Sequence, residues 1–179
     1  LLLSAAMVLE NGPALRRTHL QHHYATRDDN DPEGYIESMS WPRPLLEASR
    51  YRLHLWAWAW RRYPQDRRAM TYATLLVVGF VLAAVVIPST ELRVFVLLME
   101  AGGLMFPILT AKGPQNGFGF TDPARTVVRG RLTPPLMMGL WFHLEHHLYP
   151  EVPVFRLGAL ARALDPWLQQ QGAHVVRMW

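Results

Sequence analysis

The 179-residue chain contains no cysteine. That absence excludes disulfides, thiolate metal sites, cysteine nucleophiles and an iron-sulfur cluster of the chain's own. Lysine is nearly missing as well: Lys112 is the single example, and arginine supplies the rest of a formal net charge of +4. These arginines are spread along the chain rather than packed into a stripe, so nucleic acid is not an expected partner. No basic region precedes the apolar start Leu1-Leu2-Leu3, which therefore does not resemble an intact signal peptide. The chain reads as truncated at its N-terminus. Charge is also missing from one long stretch, Met70 to Ile87, which meets the roughly 17 to 25 residues a membrane-spanning helix needs.

A second apolar run, Val94 to Ala111, carries Glu100 near its centre. With only Pro88 to Arg93 between them, the two runs predict a transmembrane helical hairpin over residues 70–111. Arg61, Arg62, Arg67 and Arg68 flank its start, and Lys112, Arg125, Arg129 and Arg131 follow its end, whereas the connection holds Arg93 alone. The positive-inside tendency puts both flanks in the cytoplasm. A carboxylate within a span is costly, so Glu100 is either a functional group or a packed structural one. Between Ser40 and Arg68, tryptophans alternate with arginines, a composition suited to a helix at the cytoplasmic membrane interface. A short strand would fit the alternation of Leu53, Leu55, Ala57 and Ala59 too.

Histidine is concentrated where other ligands are absent. Six of the eight histidines form two copies of one pattern, His19-Leu-Gln-His22-His23 and His143-Leu-Glu-His146-His147. On a helix, residues three and four apart share a face, while Gln21 and Glu145 point about 200° from the first histidine. Adjacent histidines diverge by about 100°, which suits two ions better than one. The metal ligands predicted are His19, His22, His23, His143, His146 and His147. Zinc, copper or iron would accept imidazole, but a zinc catalytic site needs only three protein ligands. Two irons with molecular oxygen would account for six. His54 and His174 read as ordinary residues, and the acidic run Asp28 to Asp31 as a solvated helix stop.

Each triplet falls in the second half of a helix opened by proline. The first, within residues 11–35, starts after Asn11-Gly12-Pro13 and runs to about Arg27. The second, over 133–150, starts at Thr133-Pro134 and ends at Tyr149-Pro150. An amphipathic helix at 155–170 follows, with Leu157, Leu160, Leu164 and Trp167 or Leu168 on its apolar face. Gly113 to Asp122 is a glycine-rich loop without phosphate-binding spacing. The fold class expected is all-α: an integral-membrane hairpin with a cytoplasmic helical cap carrying the histidines, all in one domain.

The segments RTHLQHHYATRDDNDPEGY (Arg17 to Tyr35) and FHLEHHLYPEVP (Phe142 to Pro153) resemble the second and third histidine boxes of the integral-membrane fatty acid desaturase superfamily. That superfamily includes hydroxylases and carotenoid-modifying oxygenases. The resemblance covers nearly the whole chain and implies a non-haem di-iron centre on the cytoplasmic side, with the six histidines as iron ligands. It implies a fatty acyl desaturase, or alternatively a hydroxylase or ketolase, acting on a long-chain acyl or isoprenoid lipid. Electrons would come from a separate ferredoxin- or cytochrome-type donor. The family's first box has no counterpart, since no histidine precedes His19, and as a fragment the chain would be inactive. Of the additional His or Asn that many members place before the last box, Asn116 is the one comparable residue. Two other readings compete: a zinc membrane hydrolase, active without oxygen, and an inactive metal-binding remnant.

Overall fold

In the computed structural model, the structure describes residues 8–26, 28–37, 39–108, 127–129, 142–171 and 175–177. The chain divides into two compact units, Leu1–Ile108 and Leu109–Trp179. The glycine-rich loop, Asn116, Thr133-Pro134 and His174 lie outside the described residues.

Among the described residues, the first unit has four α-helices. Helix α1 is Gly12–Tyr24. Asn11 caps it, its Oδ1 accepting the Ala14 N–H at 3.1 Å while its Nδ2 donates to the Met70 carbonyl and Thr74 Oγ1 on a later helix. One side chain therefore both starts α1 and ties it down. The helix ends at Tyr24, short of the expected Arg27. There the Thr26 hydroxyl donates to the His22 carbonyl at 2.6 Å and a turn begins, with Asp28 N–H donating to the Ala25 carbonyl.

Helix α2, Arg43–Arg62, settles the ambiguity between strand and helix. Ala48, Tyr51, Leu55 and Ala59 are buried at spacings of three and four, the stripe of a helix rather than the alternation of a strand. Trp56 and Trp60 stack one turn apart, with ring centroids separated by 5.0 Å. After a 3₁₀ turn at Pro64–Asp66, helix α3 spans Arg67–Val86 and α4 spans Thr90–Pro107.

These last two helices form a pair joined by Ile87, Pro88 and Ser89. Phe80 packs near Phe95, and the Arg93 side chain donates to the Ala84 carbonyl. Helix α4 starts four residues before the apolar run because Ser89 caps it, accepting the Leu92 N–H. Hydropathy places Glu91 and Arg93 in the connection, but exposed charges in a first turn do not stop a helix. Among the described residues, one helix, Pro64–Val86, is long and apolar enough to cross a membrane. Its apolar side chains face outward: Leu75, Leu82 and Val85 are each more than half exposed. A core helix of a soluble protein would bury them.

The other ends of the pair receive α1 and α2. Arg17 of α1 pairs with Asp66, Arg67 donates to the Trp60 carbonyl, and Phe106 joins a core of Ile36, Tyr51 and Leu55. The first histidine triplet is thus held at the open end of the helical pair, remote in sequence from its connection.

In the second unit, helix α5 is His143–Leu148 and α6 is Val154–Gln170. Phe142, Leu157 and Ala161 form the core between them. Leu168 is buried and Trp167 exposed, which selects between the two predicted contacts. Helix α5 is capped at Phe142, so His143 lies in its first turn and not in the second half of a helix. Strands β1 (Val127–Arg129) and β2 (Val175–Arg177) pair in parallel, Val127 opposite Val175. Among the described residues this three-residue pair is the departure from helical structure, and the Val-Val dipeptides of the sequence favour extended backbone.

Candidate metal centre

The first triplet divides in the way the helical angles require. His19 and His23 stand one turn apart on α1 with their Nε2 atoms at 3.1 Å. His22 points elsewhere: its ring centroid is 6.0 Å from that of His19 and 5.9 Å from that of His23. The second triplet repeats the arrangement within its own unit. The Nε2 atoms of His143 and His147 are 3.0 Å apart, and the His146 ring centroid is 6.0 Å from that of His147.

Those nitrogen separations fit metal. Two imidazole nitrogens about 2.1 Å from one ion and at right angles around it stand about 3 Å apart. The donors are all neutral-capable imidazoles, a set suited to iron, copper or zinc. His22 and His143 are buried and the other four are part-exposed, so neither close histidine pair is sealed from solvent on every side.

Carboxylates set the ring orientations of the first triplet. His22 donates its Nδ1–H to Asp31, whose two oxygens both lie at 2.9 Å. His19 Nδ1 lies 3.1 Å from Glu33 Oε2. A carboxylate on Nδ1 fixes the tautomer with the proton there and leaves the Nε2 lone pair for a metal, the usual support of a ligating histidine. Burial pulls the His22 pKa down, but the Asp31 hydrogen bond and the neighbouring Glu33 and Glu37 charges outweigh it, and the net direction is upward.

Asp31 is itself held. It accepts the backbone N–H of Glu33 at 2.9 Å and of Gly34 at 3.0 Å. A Cβ on Gly34 would lie 2.9 Å from Asp31 Cγ, so the carboxylate occupies space that only glycine leaves open. His54 packs against Tyr35, two residues after Glu33, at 4.4 Å between ring centroids. Its desolvation, reinforced by Arg61, keeps it below the usual histidine range. His54 therefore braces the loop that carries both carboxylates.

Asp31 corrects the sequence reading, which took the acidic run Asp28 to Asp31 as solvated, and Glu33 is a further carboxylate that the reading did not include. Asp28 and Asp29 are exposed, whereas Asp31 and Glu33 are buried. The signal was the proline between them, which forces a turn and returns the chain toward α1. Glu145, expected to point away from the metal face, is fully buried in α5. Glu100 pairs with Arg52 of α2.

The sequence model of fatty acid desaturases matches residues 1–179. The chain belongs to the fatty acid desaturase family. Comparison with curated proteins and with solved structures gives no match. Membership of the desaturase family implies a lipid oxidoreductase of the desaturase or hydroxylase type, in a family typically bound to membranes, and agrees with the outward-facing apolar surface of α3. Desaturases of this family are known for di-iron sites, with which an all-imidazole donor set is compatible.

Proposed function

We propose that the chain forms the histidine-bearing part of an oxygen-dependent di-iron membrane oxidoreductase acting on a lipid chain, in the first instance a fatty acyl desaturase. The observation that carries this reading is the pair of Nε2 separations, 3.1 Å in one triplet and 3.0 Å in the other. Together His19, His22, His23, His143, His146 and His147 would hold two irons on the cytoplasmic side of the bilayer. With molecular oxygen, bound iron supplies the oxidant for an unactivated C–H bond, chemistry no side chain performs.

The protein's own part is positioning. Asp31 and Glu33 hold the Nδ1 protons of His22 and His19, which aims both Nε2 atoms and raises their basicity. Burial of His22 and His143 removes water from two of the ligand positions. The helical pair α3 and α4 places its apolar outer surface in lipid, where a long-chain substrate is dissolved. Reducing equivalents would come from a separate ferredoxin- or cytochrome-type donor, as membership of the desaturase family suggests.

The test is iron content and lipid product together. In the full-length protein, His22→Ala or His146→Ala should lower bound iron and abolish conversion of lipid supplied with reductant and oxygen. Full iron occupancy in either variant contradicts the ligand assignment, and zinc with oxygen-independent turnover overturns the reaction class. Mass analysis of the product separates a new double bond from an added oxygen.

A further inference from the structure

Away from the histidines, the first unit contains a cleft of about 420 Å³ between α2, α3 and the chain entering α1, within the size range of small-molecule sites. One wall is apolar, made by Leu53, Trp56, Val77 and Val78. The opposite end is ionic. Arg52 bonds Glu100 through Nη2, reaches Glu10 Oε1 at 3.4 Å, and donates to the Leu9 carbonyl at 3.2 Å. The Leu9 backbone takes a φ of 50°, a left-handed conformation unusual for leucine, while its side chain is wholly buried.

The composition of that end decides what it can receive. Arg52, Glu10 and Glu100 together carry a charge of −1 with both carboxyls ionised and zero with one protonated, and a net positive charge would need both protonated. Arg52 is committed to three partners, and both amide protons of Asn11 are spent on Met70 and Thr74. The Ser49 hydroxyl donates to the Leu46 carbonyl. The Trp56 indole N–H has no hydrogen-bond partner among the described residues and is closed off from water. Oxygen acceptors are therefore abundant and free donors scarce. A free carboxylate arriving here would meet two carboxylates and one guanidinium already bonded to both, whereas a hydroxyl could donate to Glu10 or Glu100.

We propose that this cleft binds a single-chain alcohol, its hydroxyl donating to the Glu10 and Glu100 end and its hydrocarbon lying against Leu53, Trp56, Val77 and Val78. The site lies about one to two turns along α3 from Met70, where the uncharged run begins, the level where the polar head of a membrane amphiphile meets its chain. Its occupancy does not depend on bound metal.

The test is photolabelling of the full-length protein in lipid nanodiscs with a long-chain alcohol carrying a diazirine on its chain, mapped by mass spectrometry. Labelling is expected on residues 49–56 and 74–78. Dodecanol should compete about tenfold better than its methyl ether, and better than dodecanoate at about pH 8, the difference of one donated hydrogen bond. Val78→Trp and Ser49→Trp alter exposed rim positions and fill the mouth. Each should cut labelling by about tenfold without changing helix content, the same order as one lost hydrogen bond. Labelling confined to other segments, equal competition by alcohol, ether and carboxylate, or unchanged labelling in both rim variants would overturn the proposal. Because labelling is read without turnover, these outcomes are separate from iron loss in the histidine variants.

Discussion

Asp31 grips His22 with both carboxylate oxygens, each 2.9 Å from Nδ1. The contact joins a loop residue to the most deeply buried ring of the first triplet, nine residues earlier. Its effect is to make one ring nitrogen a donor and the other a lone pair.

Asp31→Asn keeps the size and one acceptor oxygen but removes the charge and allows the imidazole to change tautomer. Iron affinity should fall by about 10- to 100-fold, the usual effect of losing such a partner. Chelator titration of the iron-loaded protein measures it, alongside circular dichroism to show unchanged helix content. Wild-type retention of iron would show that Asp31 does not orient a ligand.

Gly103 and Gly102 offer a neighbouring comparison on α4. A Cβ on Gly103 would lie 3.0 Å from Arg52 Cζ, whereas one on Gly102 meets nothing within 4 Å. Gly102→Ala should raise stability by about 0.5–1 kcal/mol through lower backbone entropy in the unfolded chain. Gly103→Ala should lose that gain, because Arg52 must move off its carboxylates. Unfolding in detergent compares them, and an equal gain at both positions would refute the contact.

Burial pushes the Glu10 carboxyl up to about 7, with Arg52 pulling it down and Glu100 adding to the rise. The folded protein thus favours protonated Glu10 more than the unfolded chain does. Its contribution to stability is complete below the ordinary value of 4.5 and is lost as pH rises through about 7. Thermal midpoints should fall between about pH 5 and pH 8, and Glu10→Gln should flatten that slope; each tenfold difference in proton affinity between folded and unfolded chain is worth about 1.4 kcal/mol. A slope unchanged in the variant would show that another group governs it.

The histidines were legible because their chemistry is unusual and their spacing is local. A three- and four-residue spacing on one helix fixes which rings converge, and His19 with His23, like His143 with His147, converge accordingly. The carboxylates behind them were not legible, because burial of Asp31 beside exposed Asp28 and Asp29 depends on where the loop returns. Glu100 was visible as a costly charge, but Arg52 lies 48 residues earlier on a helix that sequence alone left ambiguous with a strand. The start of α4 was misplaced for a simpler reason: hydropathy reports apolar length, while the Ser89 hydroxyl determines where the helix begins.

The Arg52 bridge to Glu100 also acts as a ruler. Glu100 lies seven residues before Pro107, the last residue of α4, a rise of about 10 Å along the helix. Helix α2 cannot slide toward or away from that end without breaking the bridge. Its level on the helical pair is therefore fixed by the reach of one arginine, and its tryptophans must settle at whatever depth that reach allows.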